Sequence, residues 1–479
     1  MTRLKLILET RSDQETILSG NQHARIVRMS AKRRIFVQIP SYRDAQLIPT
    51  LKDMISNSAQ PDELRIVVAW QHADDEELRD FADLGFEVIT TDEKNRETVH
   101  HLRMNGATIE LVDIEHLNSK GCGWARNLAQ QRYLGEMYNL QIDAHHRFVS
   151  CWDERMIEML ESLRHAAEKP VLTGYPPAFD PSTDPIGRQD SVGAMVVRCF
   201  SSTGILSFRS TRIPHQDKLG SPIRARFMAG GFVFSDGHLV TNVMNDPEQF
   251  FSTEEIVMSA RAYTHGYDFF HPHLPLLWHH YLNPAPKIWD DHTEEAKACG
   301  VIEETASSRT WSALQKSLRL LGVIKDEATA DFGRFGLGEH RSLFEYERFA
   351  GFSLDKRAVR AEAMIPTEPN PWLDCLDGED WSAGLVCPRT IRVRIEAPIR
   401  NTTRTSSLLV TSNTVDGREL SCHELTCEQL DKLFATGAVE YTEIVAHAIG
   451  KPPFRFSVFQ SGDEEESRDF KITANEELT

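Results

Sequence analysis

The chain has eight cysteines but no Cys-x-x-Cys pair, which removes the zinc ribbon and the dithiol redox motif from consideration; its scattered thiols read as free. Cys422, His423 and Cys427 approach a metal cluster in sequence, but a fourth ligand at zinc-finger spacing is missing. Long hydrophobic runs are also lacking. No apolar stretch reaches the roughly 18 residues that cross a bilayer, and Met1 to Gly20 has neither the apolar core nor the small-residue cleavage site of a secretory signal. A cytoplasmic protein with no membrane partner is expected. Positive charge is in short supply: 53 Lys plus Arg stand against 71 Asp plus Glu, a formal net charge of -18. Such a field repels phosphate backbones, so no nucleic-acid partner is expected. It would repel a nucleotide diphosphate as well, unless a bound cation reverses the sign locally.

The 479 residues, 41% hydrophobic and 26% charged, suffice for two or three folded domains. After a polar leader (1–32), Arg34 to Ile39 is a short apolar run closed by Pro40, the pattern of a buried strand. Leu47 to Asn57 carries helical periodicity, and Leu64 to Trp70 is a second strand-like run. Strand, helix, strand predicts a parallel pair, and ligands of such sheets bind beyond the carboxyl ends of the strands. Ser41 to Asp44 and Gln71 to Asp75 therefore become candidates. A helix is expected over Gly123 to Tyr138, then a strand over Tyr138 to Ile142 that runs into an acid. Glu154 to Arg164 and Ile256 to Tyr263 read as helices, and Val171 to Thr173 and Phe232 to Phe234 as strands. Residues 365–388 turn to Pro, Asp, Gly and Trp without periodicity and read as a linker. Beyond it, 389–465 reads as a small α+β or β-rich module and 466–479 as an acidic tail.

Asp143-Ala144-His145 follows the strand over Tyr138 to Ile142. In an extended segment, side chains two apart point the same way, so a carboxylate and an imidazole would share a cation and leave positions for diphosphate oxygens. By spacing alone, Asp-x-His also fits a solvated loop. The wider context is more specific. Arg34-Ile-Phe-Val-Gln-Ile-Pro-Ser-Tyr-Arg-Asp44, Gly121-Cys-Gly-Trp-Ala-Arg126, Gly135-Glu-Met-Tyr-Asn-Leu-Gln-Ile-Asp-Ala-His145, Phe227-Met-Ala-Gly-Gly-Phe-Val-Phe234, Glu254-Glu255 and Trp278-His-His-Tyr281 occur in that order. Together with Phe335-Gly-Leu-Gly-Glu-His-Arg-Ser-Leu343, these blocks closely resemble the GlcNAc-transferase family whose eukaryotic members modify hydroxyproline on a cytosolic ubiquitin-ligase adaptor.

The resemblance implies an α/β GT-A nucleotide-sugar transferase domain over 33–364, with Asp143 and His145 holding Mn2+ or Mg2+ for a UDP-GlcNAc donor. It implies retention of configuration and a hydroxyl acceptor, expected on a protein. Another UDP-sugar, a glycan or small-molecule acceptor, or a non-catalytic sugar-binding descendant are the competing readings. A distant histidine completes the metal set; His279 is the first choice and His280 the second, against the alternative of a core histidine beside Trp278. Pro40, Ser41, Tyr42, Arg43, Gln71, Arg126 and Gln141 are the candidate donor contacts, with structural salt bridges as the alternative for Arg43 and Arg126. Gly230 and Gly231 would let backbone approach the sugar, or simply form a tight turn. Glu254 and Glu255 join Asp143 and His145 as candidate catalytic residues, although acids at a helix start are also stabilised by its dipole. His265 and Asp268 rank second.

Overall fold

The computed structural model describes residues 35–94, 97–325, 331–370, 377–397, 408–413, 419–448, 455–460 and 471–476. The leader expected over 1–32 and Arg34 lie outside them. Fourteen strands build the first two thirds of the described chain: β1 Ile35–Tyr42, β2 Leu64–His72, β3 Glu87–Lys94, β4 Glu97–Met104, β5 Ala107–Glu115, β6 Tyr138–Ile142, β7 His146–Phe148, β8 Pro170–Thr173, β9 Gly193–Phe200, β10 Leu206–Arg212, β11 Ile223–Arg224, β12 Phe232–Asp236, β13 Asp268–His271 and β14 Leu277–His279. Ten of them form one mixed sheet in the order β11-β13-β8-β12-β6-β1-β2-β5-β4-β3. Its centre, β6-β1-β2-β5, is parallel. Both faces there are covered, so β2 is buried from Leu64 to Gln71 and reads as a continuous apolar run rather than an alternating one.

The expected strand-helix-strand unit is present. Helix Leu47–Asn57 crosses from β1 to β2, burying Leu47, Leu51, Met54 and Ile55 against the sheet. The next strand to join β1 is β6, on its other side. Strand order therefore reverses between β1 and β6, and the crevice beyond their carboxyl ends is the position at which open α/β sheets receive ligands. The helix expected over 123–138 is shorter, Cys122–Gln130. Gly135 adopts φ +93, and the Glu136 carboxylate accepts from Leu134 N while its carbonyl accepts from Tyr133 OH. These bonds turn the chain before β6 begins. Among the described residues no helix is long and apolar enough to cross a membrane.

The segment 365–388 is not a bare linker. It contains helix Gly378–Ala383 and the start of strand Leu385–Glu396. That strand pairs with Ala358–Arg360 on one side of the chain and with Ala438–Ala448 and Lys471–Glu476 further on. A second, three-stranded sheet joins Leu408–Asn413 to Glu419–Glu424 and Arg455–Gln460. Helix Cys427–Thr436 is set by a Thr426/Gln429 capping box and ends on Gly437 at φ +80. The part of 466–479 that is described, Lys471–Glu476, is thus a paired strand, not a solvated tail.

Candidate functional site

Asp143 is the first residue after β6, and the chain bends there instead of continuing extended. Thr50 of the crossover helix fixes the bend: its hydroxyl donates to the Ala144 carbonyl at 2.8 Å and accepts from the His146 amide at 2.9 Å. The buried His146 ring reaches back to the Asp143 carbonyl at 3.0 Å. Antiparallel pairing of β7 with β14 sets His279 opposite His146. The outcome is a group of three: ligand atoms of Asp143, His145 and His279 all lie within 4.8 Å of one another. His279 Nε2 is 3.5 Å from Asp143 Oδ2, and the His145 and His279 rings are 4.6 Å apart. His280 stands outside the group; its amide donates to the His145 carbonyl and its ring packs on Phe179.

The surroundings orient these groups. Asp44, buried just past β1, meets His145 Nδ1 through Oδ2 at 2.7 Å, and Asn283 Nδ2 donates to the same oxygen at 2.9 Å. With Nδ1 engaged, His145 presents Nε2. Arg126, 2% exposed, donates to Asp143 Oδ1 and to Glu254 Oε2, both at 3.1 Å. Burial alone would raise the Asp143 carboxyl; the His279 bond and the charges of Arg126 and His145 override it and hold the group well below the usual carboxylate range. Glu255, next along helix Glu254–Thr264, accepts from Tyr175 OH at 2.7 Å and from Gly230 N at 3.1 Å. Burial and the neighbouring Glu254 charge push it up to about 7.

The glycine pair faces these acids. A Cβ on Gly231 would come within 2.6 Å of Asp143 Oδ2, and one on Gly230 within 2.5 Å of Glu254 Oε1. Neither glycine has a positive φ, so close approach rather than a turn is what excludes a side chain here. The remaining candidates divide. Ser41 is buried with an unpartnered Oγ, and half-buried Pro40 precedes it. Tyr42 OH donates to Asp291 at 2.7 Å, and Arg43 Nη1 donates to both oxygens of that carboxylate at 2.9 Å. Gln71 and Gln141 are turned inward. Gln71 bonds the Ser41 carbonyl and the Ser119 hydroxyl, whereas Gln141 bonds the Gly230 carbonyl and Asn245. Each amide thus engages both its nitrogen and its oxygen with neighbouring segments of the chain. His265 bonds the Arg261 carbonyl and Asp268 pairs with Arg224 and Arg341, so both are structural.

Sequence reasoning did not single out Asn283, Asp291 or Tyr175. Each reaches the site from a segment with no motif, and only the three-dimensional pairing finds it. Asp44 was visible as a polar residue after β1 but not as the partner of His145.

The GlcNAc glycosyltransferase family model matches residues 34–356. The chain belongs to this family. No curated protein matches it. Among solved structures, the chain resembles S. aureus TarS 1-349 at 13% identity, covering 52% of this chain and 60% of that one, with a TM-score of 0.32. It also resembles GalNAc-T7 with UDP, GalNAc and Mn2+ at 11% identity, covering 92% of this chain and 82% of that one, with a TM-score of 0.43. A Pyrobaculum calidifontis mannosyltransferase, PcManGT, in complex with GDP-Man and Mn2+, matches at 13% identity over 62% of this chain and 77% of that one, with a TM-score of 0.28. The chain thus spans about 60% of the length of TarS 1-349. The family match covers all of the three-residue group, the glycine pair and the acids at 254 and 255.

Proposed function

We propose that this family member is a retaining GT-A transferase that moves GlcNAc from UDP-GlcNAc to a hydroxyl on a protein and requires a divalent cation. The observation that carries the reading is the convergence of Asp143, His145 and His279 at the crevice between β1 and β6. One carboxylate oxygen and two imidazole nitrogens form a mixed set that a divalent transition ion such as Mn2+ can use, fit Mg2+ less well, and leave sites for donor oxygens. The residues fit such an ion in two further ways: Asp44 fixes the His145 tautomer, as outer partners of metal-bound imidazoles do, and Gly231 leaves free the space next to Asp143 Oδ2 that a side chain would fill. When bound, the cation would act as a Lewis acid toward the donor diphosphate.

The chain's own groups supply the rest. Asp143, His145 and His279 hold the ion. Ser41, Tyr42 and Arg43 line the end of β1, where the uridine belongs, and the donor must compete with Asp291 for Tyr42 and Arg43. Arg126 ties Asp143 to Glu254 and so keeps the ion-binding acid and the sugar-side acid in one register. Gly230 and Gly231 let the sugar lie against backbone, with Glu254 and Glu255 placed to bind its hydroxyls or those of the acceptor. The acceptor hydroxyl then attacks C1 from the face that the diphosphate leaves, and its proton passes to a donor phosphate oxygen; no protein base is needed. A panel of UDP-sugars with Mn2+ or Mg2+, scored for UDP release and for thermal stabilisation, tests donor and cation together. Selective hydrolysis of UDP-GlcNAc supports the reading. A response to another UDP-sugar moves the donor assignment, and binding without turnover turns the protein into a sugar-binding descendant.

A further inference from the structure

A cavity of about 550 Å³ opens beside the three-residue group and is not part of it. Its lining includes Tyr175, Pro177, Phe208, Arg209, Arg212 and Tyr281. Two of these residues join it to the chemistry. The Tyr281 ring lies 4.3 Å from the His279 ring, and its hydroxyl donates to the Pro176 carbonyl; Tyr175 donates to Glu255. The same stretch, Pro176 to Phe179, holds His279 in place through backbone bonds in both directions. One wall of the cavity is thus the back of the segment that positions His279.

Another wall is the β9–β10 hairpin, whose Phe208, Arg209, Ser210 and Arg212 line the cavity where the pairing of the two strands shifts register at Ser207/Phe208. Gly193 makes room there, since a Cβ on it would collide with the Ser210 hydroxyl. The lining holds two arginines and no carboxylate, on a chain with a net charge of -18. Among the described residues the Arg209 side chain makes one hydrogen bond, to the Met364 carbonyl at 3.3 Å. Arg212 is exposed and has no ion pair among the described residues. A cationic groove walled by prolines and aromatic rings suits a polypeptide segment better than a compact small molecule.

Resting on the transferase reading, we propose that this groove receives the acceptor as an extended polypeptide whose acidic side chains meet Arg209 and Arg212 while its hydroxyl reaches the sugar past Tyr281 and Tyr175. The full chain is incubated with UDP-GlcNAc, Mn2+ and a peptide library. The central position holds every natural hydroxyl side chain, hydroxyproline included, and the flanks are either Glu-rich or Lys-rich. Transfer to peptide and UDP release to water are counted separately. Glu-rich flanks should be favoured by about tenfold. The Arg209→Glu, Arg212→Glu double variant should lose or invert that preference, and Arg212→Glu alone should weaken it. Thermal stabilisation by UDP and Mn2+ checks that each variant is folded. Transfer without a charge preference, or a preference that survives the double variant, overturns the groove assignment, as does UDP release with no peptide modified. Failure of the unaltered chain to release UDP at all would instead sink the transferase reading on which the assignment depends.

Discussion

Replacing Asp44 with Asn tests whether the residue next to His145 matters for the ion without being one of its ligands. The carboxylate accepts from His145 Nδ1 at 2.7 Å and from Asn283 at 2.9 Å, in a site where Asp44 is 6% exposed. It thereby fixes which nitrogen of His145 faces Asp143 and adds negative charge behind the imidazole. Asparagine keeps an acceptor oxygen and removes the charge; alanine removes both. Outer partners of metal-bound imidazoles are worth about 10- to 100-fold in metal affinity. The expected weakening is therefore about tenfold for Asp44→Asn and toward about 100-fold for Asp44→Ala, or about 1.4 to 2.7 kcal/mol. Titration of Mn2+ followed by electron paramagnetic resonance of the free ion, without donor, measures this directly. An Asp44→Ala protein that is folded and binds Mn2+ within twofold of the unaltered chain would refute the geometry argued for His145.

Three further outcomes follow from the same contacts. His279→Ala should abolish measurable Mn2+ binding in that titration, while His280→Ala leaves a clear isotherm, because His279 and not His280 completes the three-residue group. Gly231→Ala drives a methyl into Asp143 Oδ2 and should weaken Mn2+ binding and donor-dependent thermal stabilisation together. Glu255, titrating near 7 rather than 4.5, costs the folded state nothing below about pH 4.5 and at most about 3 kcal/mol above pH 7. Denaturation of Glu255→Gln at pH 5 and pH 8 should show a relative gain that grows with pH, and a pH-independent difference would contradict it.

Local signals carried the framework. β1, the crossover helix and β2 were legible because a buried parallel strand is a continuous apolar run and a half-buried helix repeats every three to four residues. Asp143 and His145 were legible too, but for an incomplete reason. Alternation in an extended strand was expected to align them; in the structure the chain bends, and Thr50 on a different element holds the bend. The choice between His279 and His280 depends on the β7–β14 register, a long-range pairing that no periodicity reveals. The same limit explains Gln71 and Gln141. A polar residue at a strand end points toward the crevice or toward a neighbouring loop according to partners such as Ser119 and Asn245, which lie 48 and 104 residues away. Residues 365–388 look structureless by composition, yet strand Leu385–Glu396 is anchored there by pairing to Ala358–Arg360.

On the proposed reading, the charges at the crevice require a cation and a nucleotide donor to bind as a coupled pair. Among the described residues two guanidiniums bond the acids of the crevice, and neither is free: Arg43 is matched by Asp291 and Arg126 by Asp143 and Glu254. Asp44 adds a further carboxylate. A diphosphate entering without an ion thus meets excess negative charge, and at about 4 Å each uncompensated unit pair is worth about 4 kcal/mol near a protein surface before solvent screening. Even after heavy screening, UDP affinity should rise at least about tenfold when Mn2+ is present. Linkage requires that UDP raise Mn2+ affinity by the same factor. Calorimetric titrations of UDP with and without Mn2+, and of Mn2+ with and without UDP, close that cycle. Equal UDP affinity in chelator and in Mn2+ would mean that a guanidinium leaves its carboxylate to bind the phosphates, and Arg43, facing an Asp291 side chain that is 18% exposed, would be the one to move.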